Sequence, residues 1–301
     1  MNDRFGLFRW IWLGTFVISV PSVTSCRARS DDTLGRVEAG GFVRAGYAQE
    51  PPYAFLLASG RVDGEAPAAL RHALAAVGVD SIRWILHDFE DLLPALEQGR
   101  VDVVAAGLFI TEERRERVLF SRPTMCARPA LAFRTEASPP PGLASFLGDG
   151  SGVLAVVSGS VEHQAVKVLG IPASTTLQVP DVKTGLVAVR SGHAEALAMT
   201  APTLQRAVAA ADGLAWRYYE APPAVAPLVG GCSALVFRRS DIRLAEAVNV
   251  GLEGYVGARS QRAVFDRLAL WDTAVPAAGP ADAEGPAGAA GLAEPEAPIP
   301  P

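Results

Sequence analysis

Ile82-Arg-Trp-Ile-Leu86, Phe89-Glu-Asp-Leu-Leu-Pro-Ala-Leu-Glu-Gln98, Gly99 and Val101-Asp-Val-Val-Ala-Ala-Gly-Leu108 make up the stretch that decides the fold class. The first piece is short, apolar and β-branched, as a strand should be. In the second, Leu92, Leu93 and Leu96 share one helical face, and Gly99 fits the position just past a helix end. The third is an apolar run broken only by Asp102, and reads as a buried strand. Upstream, Phe42–Tyr47 reads as a strand and Ala66–Val77 as a helix. This βαβα order predicts an α/β lobe with a largely parallel sheet.

The alternation stops at the breaker cluster Ser138-Pro-Pro-Pro-Gly142 and then resumes. Strands are expected at 153–157, 175–179, 196–199 and 215–219. Helices are expected at 160–169, 180–191 and 202–211. A return near Gly230-Gly231 leads to helices at 240–257 and 261–271. The implied topology is discontinuous. Lobe one takes residues 42–133 and 232–272, and lobe two takes 138–230.

The ends of the chain read differently. Arg4 and Arg9 precede the apolar run Trp10–Val20, which is shorter than the roughly 20 residues a spanning helix needs. Val23-Thr-Ser-Cys26 has the form of a lipobox. Residues 1–26 are therefore expected to be a lipoprotein signal peptide, with Cys26 as the lipid anchor and the protein extracytoplasmic. Residues 275–301, rich in Ala, Gly, Pro and Glu without periodicity, are expected to be a disordered tail. Between the ends lie about 240 residues, enough for two lobes.

The net charge of −5 and the absence of a Lys/Arg run argue against nucleic-acid binding. His72, His87, His163 and His193 lie far apart without metal-ligand spacing, and no phosphate-binding loop or nucleophile motif is present. No metal or cofactor is expected.

Phe109-Ile-Thr-Glu-Glu-Arg114 follows the third strand. Thr111 is placed to cap a short helix with Glu112 and Glu113 in its first turn. Arg114 can then turn back beside Phe109 and offer a guanidinium fork to a small carboxylate. Ligands of open α/β sheets bind beyond the carboxyl ends of strands. Glu50 and Tyr53, Phe89, and Phe109 with Arg114 follow three such ends. Glu50 offers an anion, and three aromatic faces suit a poorly hydrated cation. In lobe two, Ser158-Gly-Ser-Val-Glu162 opens a helix whose N–H groups and Ser160 hydroxyl can receive a carboxylate oxygen. Asp181 is a weaker candidate for a polar contact.

Thr111-Glu-Glu-Arg114 followed by Val118-Leu-Phe-Ser-Arg-Pro123 resembles the solute-binding proteins of polar-amino-acid-type ABC importers. Gly46–Phe55 and Gly60–Pro67 fit the same pattern. The combination of Glu50, Tyr53, Glu65-Ala-Pro67, Phe89, Phe109-Ile-Thr111 and Pro123-Thr124 is similar to the branch that binds ectoine and hydroxyectoine. The likeness runs from about Phe42 to about Trp271.

The resemblance implies a type II periplasmic-binding-protein fold, with discontinuous lobes joined by a two-strand hinge. It makes Pro129–Phe133 and Ser233–Phe237 the hinge strands and brings Cys126 near Cys232. A disulfide is expected there, the alternative being two free buried thiols. It also implies a small zwitterionic ligand, a membrane permease partner, and a monomeric binder that is not an enzyme. Many relatives grip an α-ammonium with an Asp where this chain has Thr200, which turns the expectation toward ectoine or 5-hydroxyectoine. The rivals are a polar amino acid or betaine, and a dehydratase-like enzyme using Glu50.

Overall fold

The computed structural model describes residues 33–148 and 152–277. The expected signal peptide with Cys26, and the stretch from residue 278 onward, lie outside the described residues.

α1 (Thr33–Glu38) leads into β1 (Val43–Tyr47), the short hairpin β2 (Phe55–Leu56) and β3 (Val62–Asp63), and α2 (Glu65–Ala76). β4 (Ile82–Leu86), a 3-10 turn at Phe89–Asp91, α3 (Leu92–Glu97) and β5 (Val103–Val104) follow. Next come α4 (Glu112–Arg115), β6 (Val118–Phe120), β7 (Met125–Ala127) and β8 (Pro129–Arg134). The middle of the chain holds β9 (Leu154–Val157), α5 (Val161–Leu169), β10 (Thr176–Val179), α6 (Val182–Arg190), β11 (Ala196–Thr200), α7 (Ala201–Val208) and β12 (Leu214–Tyr218). The return is built from α8 (Ala226–Val229), β13 (Cys232–Ser233), β14 (Val236–Arg238), α9 (Ile242–Glu253), α10 (Arg259–Leu268) and β15 (Ala274–Pro276).

Two five-stranded sheets carry the two lobes, in the orders β4-β1-β5-β14-β6 and β10-β9-β11-β8-β12. The architecture is mixed α/β with two sheet-bearing lobes. Each sheet is parallel on one side only: β1 runs parallel to β4 and β5, and β9 to β10 and β11. β14 and β8 are antiparallel to their neighbours. A chain that enters each lobe through a strand from the other side must run that strand backwards, so the sheets are less parallel than the βαβα order suggests.

The cores follow the layers. Leu70, Leu74, Val103, Phe237, Val248 and Leu252 fill one side of the first sheet, and Leu92, Leu96, Val104 and Leu108 the other. Val157, Val189, Leu197 and Leu204 fill one side of the second sheet. Burial of each such side chain contributes roughly 1.5–3 kcal/mol.

The crossing between the lobes differs from the sequence expectation. Pro129–Arg134 is a central strand of the second sheet and Val236–Arg238 belongs to the first, so these segments do not pair with each other. The lobe boundary falls before Pro129, and not at residue 133. The hinge is the preceding tripeptide: β7 pairs with β13, with Cys126 opposite Cys232, and with β15. Strands of two or three residues give no period to read, whereas the longer apolar runs beside them do. Cys126 and Cys232 are joined in a disulfide. β15 also corrects the start of the tail: Val275 and Pro276 pair with Cys126 and Met125. Their partner edge lies far back in the chain, beyond the reach of local composition.

Candidate functional site

A solvent-open cleft, ≈ 290 Å³ when its open mouth is counted, lies between the lobes, lined by Glu50, Tyr53, Phe89, Gly107, Phe109, Arg114, Ser160, Val161, Glu162, Met199 and Thr200. Glu50, Tyr53, Phe89, Phe109 and Arg114, the five residues expected from the sequence on grounds of charge or aromaticity, line it together with Ser160 and Thr200, so the lobes bring all but one of the eight expected residues together here.

From lobe one, Glu50 leaves β1 through a turn closed by its backbone pair with Ala54, at 2.8 and 3.1 Å. Tyr53 is buried and packs edge-on against Phe109, with ring centroids 6.3 Å apart. Gly107 makes this possible: at φ 73° it adopts the left-handed region, and a Cβ there would collide with the Tyr53 ring. Phe89, partly buried, opens the 3-10 turn after β4. Thr111 caps α4 by accepting the Arg114 N–H at 3.2 Å, which fixes the direction of the arginine. The Arg114 guanidinium donates to the Phe109 carbonyl at 2.7 Å and, across the cleft, to the Gly159 carbonyl at 2.9 Å.

From lobe two, Ser160 caps α5 by accepting the His163 N–H at 3.1 Å. Thr200 begins α7, and its hydroxyl accepts from Tyr53 at 3.1 Å and meets the Thr203 hydroxyl at 3.2 Å. Thr203 in turn donates to Glu50 Oε1 at 3.0 Å. This chain of hydroxyls ties the aromatic wall of one lobe to the helix start of the other. Gly159, at φ 76°, passes so close to the backbone of Glu90 that a Cβ would lie 2.9 Å from its Cα. Gln164 also donates to Glu113 across the same seam.

Asp181 departs from the expectation. It is exposed, caps α6 by accepting the Thr184 N–H at 2.7 Å, and does not line the cleft. A short polar side chain before a helix is more often a cap than a ligand contact.

The residue that sequence reasoning missed is Glu162. It is 1% exposed, lines the cleft, and its Oε1 has no hydrogen-bond partner. Its sequence signal was ambiguous, because an acid in the first turn of a helix is ordinarily a solvated partner of the helix dipole. Thr203 was missed as well; one turn into α7, it becomes relevant only once the lobes meet.

The electrostatics are lopsided. Burial pushes the Glu50 carboxyl up to about 8, with the Thr203 hydrogen bond opposing and the charge of Glu162 adding. Burial pushes Glu162 up to about 7, against hydrogen bonds from its own backbone N–H and Ser160 and the charge of Arg114. Arg114 is lowered to about 10 by burial, with Glu162 and Glu113 opposing. Two buried carboxyls and one guanidinium thus line the same cleft, a set that can hold a small molecule carrying both a carboxylate and a cation. Among the described residues no cluster fit to hold a metal ion is found, and no helix is long and apolar enough to cross a membrane.

Comparison with known proteins agrees with this layout. A family model described as bacterial extracellular solute-binding proteins, family 3, matches residues 43–259. A probable amino-acid ABC transporter periplasmic-binding protein, y4tE, from Sinorhizobium fredii (strain NBRC 101917 / NGR234) is 28% identical over 175 residues. That alignment spans 57% of this chain and 57% of the relative's length. Among solved structures, EhuB in complex with hydroxyectoine superposes with a TM-score of 0.69 at 24% identity, covering 79% of this chain and 91% of that one. An ancestral arginine-binding protein bound to arginine gives 0.66 at 23% identity, covering 76% and 98%. These likenesses show the type II periplasmic-binding-protein fold.

Proposed function

The chain belongs to the bacterial extracellular solute-binding proteins, family 3, and from that premise we propose that it captures a small zwitterion, ectoine or 5-hydroxyectoine, and delivers it to an ABC importer. The observation that carries this reading is the pairing in one cleft of the Arg114 fork with Glu50 and the Tyr53, Phe89 and Phe109 rings. Arg114 takes the ligand carboxylate through paired, charge-assisted hydrogen bonds. Glu50 and the rings take a delocalised cation. A cation over an aromatic face gains roughly 0.5–1 kcal/mol when exposed and about 2 when desolvated. Thr200, whose hydroxyl is already engaged by Tyr53, offers no charge to an α-ammonium.

Capture works by population shift. A ligand touching both lobes favours the closed arrangement by its differential affinity for it. The bonds from Arg114 to Gly159, Tyr53 to Thr200 and Thr203 to Glu50 are the protein's own share of that closure. The protein is proposed to work as a monomer, tethered to a membrane through lipidated Cys26 and docking on a permease. Detergent phase partitioning of wild type against Cys26→Ser tests the tether: the wild type should enter the detergent phase and the variant should not.

Calorimetric titration with ectoine, hydroxyectoine, glycine betaine and a set of amino acids tests the ligand, with product analysis alongside. Saturable binding of ectoine, unconsumed and strongly weakened in Arg114→Ala, supports the reading. Tight binding of an amino acid with no ectoine response replaces it with the second reading, a polar amino acid, which Glu162 favours as an additional anion in the cleft.

A further inference from the structure

We propose that Glu162 is a ligand-contacting, specificity-determining residue: with Glu50 it forms a two-carboxylate clamp, one arm from each lobe, that selects ligands bearing a cation opposite their carboxylate. This deepens the binding reading and rests on it only for the carboxylate held by Arg114.

Three observations carry the clamp. Glu162 lines the same cleft as Glu50 and Arg114, from the opposite lobe to Glu50. It is fully buried, yet its Oε1 has no partner. A buried carboxyl oxygen left unpaired is costly unless something completes it. The groups around it do not supply a dedicated cation. Arg114 is engaged by the Phe109 and Gly159 carbonyls. Glu50 and Glu113 are acids. Tyr53 and Tyr219 are buried phenols, and the Tyr219 hydroxyl is itself unpartnered. On its own helix, His163 and Lys167 are the other titratable groups. Thr200 leaves the second lobe without charge at the start of α7, and Glu162 restores an anion from the start of α5 instead.

The clamp has a proton signature. Burial holds both carboxyls near neutrality in the empty cleft. A bound cation favours their ionised forms, so binding near pH 7 releases protons and tightens as pH rises from 6 to 8. A residue that merely opens a helix would show neither effect.

The test uses the whole protein and a matched panel: ectoine and L-arginine, which carry a delocalised cation, and L-citrulline, which replaces the guanidinium by a neutral group. Titrations at pH 7 in two buffers of different ionisation enthalpy read affinity and proton release together. Glu162→Gln should weaken each cation-bearing probe that binds at least tenfold and reduce proton release, while melting of the empty protein shows that it stays folded. Glu162→Asp should fall between. If the wild type binds arginine and not ectoine, and Glu162→Gln loses that arginine binding, the clamp is upheld while ectoine is overturned as the ligand. Affinities within twofold of wild type, equal losses for citrulline and arginine, or no binding by either cation-bearing probe would overturn the clamp.

Discussion

Asp102 and the pair Glu50 and Glu162 are buried carboxyls treated in opposite ways. Asp102 is fully buried at the entry of β5, where the Arg44 guanidinium approaches at 2.6 Å, Arg36 at 2.7 Å and Arg238 at 3.3 Å. Burial pushes it up, but the hydrogen bonds and charge of Arg44 and the charge of Arg36 prevail and hold it below the ordinary carboxylate value. Glu50 meets only the Thr203 hydroxyl and the like charge of Glu162, Glu162 meets Ser160, its own backbone N–H and the charge of Arg114, and at both burial prevails. The first arrangement is complete within the chain and secures lobe one, tying α1, β1 and β14 to β5. The second is incomplete, and sits where a solute can complete it.

The sharpest way to break this contrast is at its strong end. Asp102→Ala leaves Arg44 and the buried Arg238 facing each other without their shared anion, and should cost about 3–5 kcal/mol in urea unfolding. A loss under about 1 kcal/mol would show that Asp241, which also pairs with Arg238, suffices. Next, Arg114→Ala should weaken ectoine binding about a hundredfold, close to 3 kcal/mol by calorimetry. The same variant leaves lobe one intact, so its melting should move far less than that of Asp102→Ala.

The weak end has a pH signature. An unfolded glutamate ionises near 4.5, whereas Glu50 in the fold holds its proton to about 8. Between those values the folded state binds more protons than the unfolded, so stability falls as pH rises and levels off above about 8. Glu162, at about 7, has the same sign. The empty protein should lose several kcal/mol from pH 5 to 8, the larger share through Glu50, and Glu50→Gln should flatten the profile. Asp102, with its lowered value, acts in the other direction and at lower pH, losing its contribution as pH falls through its folded pKa. The smallest effect belongs to an exposed pair: Arg117 grips Glu97 at 2.8 Å through both oxygens, yet Glu97→Gln should cost only about 0.2–1 kcal/mol in denaturant unfolding.

What could be read from the sequence divides along the same line. Thr111 as a cap and the turn of Arg114 back onto Phe109 are local facts, set within six residues, and the structure places them as their spacing implies. The helices at 65–76 and 182–190 carry enough periodicity to be found. The three arginines around Asp102 come from 66, 58 and 136 residues away, and no local pattern joins them. The hinge is missed for the same reason: β7, β13 and β15 have meaning only once distant segments meet. Glu162 stayed hidden because burial, and not identity, separates a helix-opening acid from one that faces a cleft.

The Cys126–Cys232 bond has a mechanical consequence. It closes a loop with a sequence separation of 106 residues that contains the whole of the second sheet and its helices. A pulling force applied at the two ends of the chain would run from one cysteine directly to the other. Everything between would hang outside the load path, concealing about 380 Å of extensible contour. One lobe therefore bears tension while the other rides on it as a pendant, and only a reductant would put both in series.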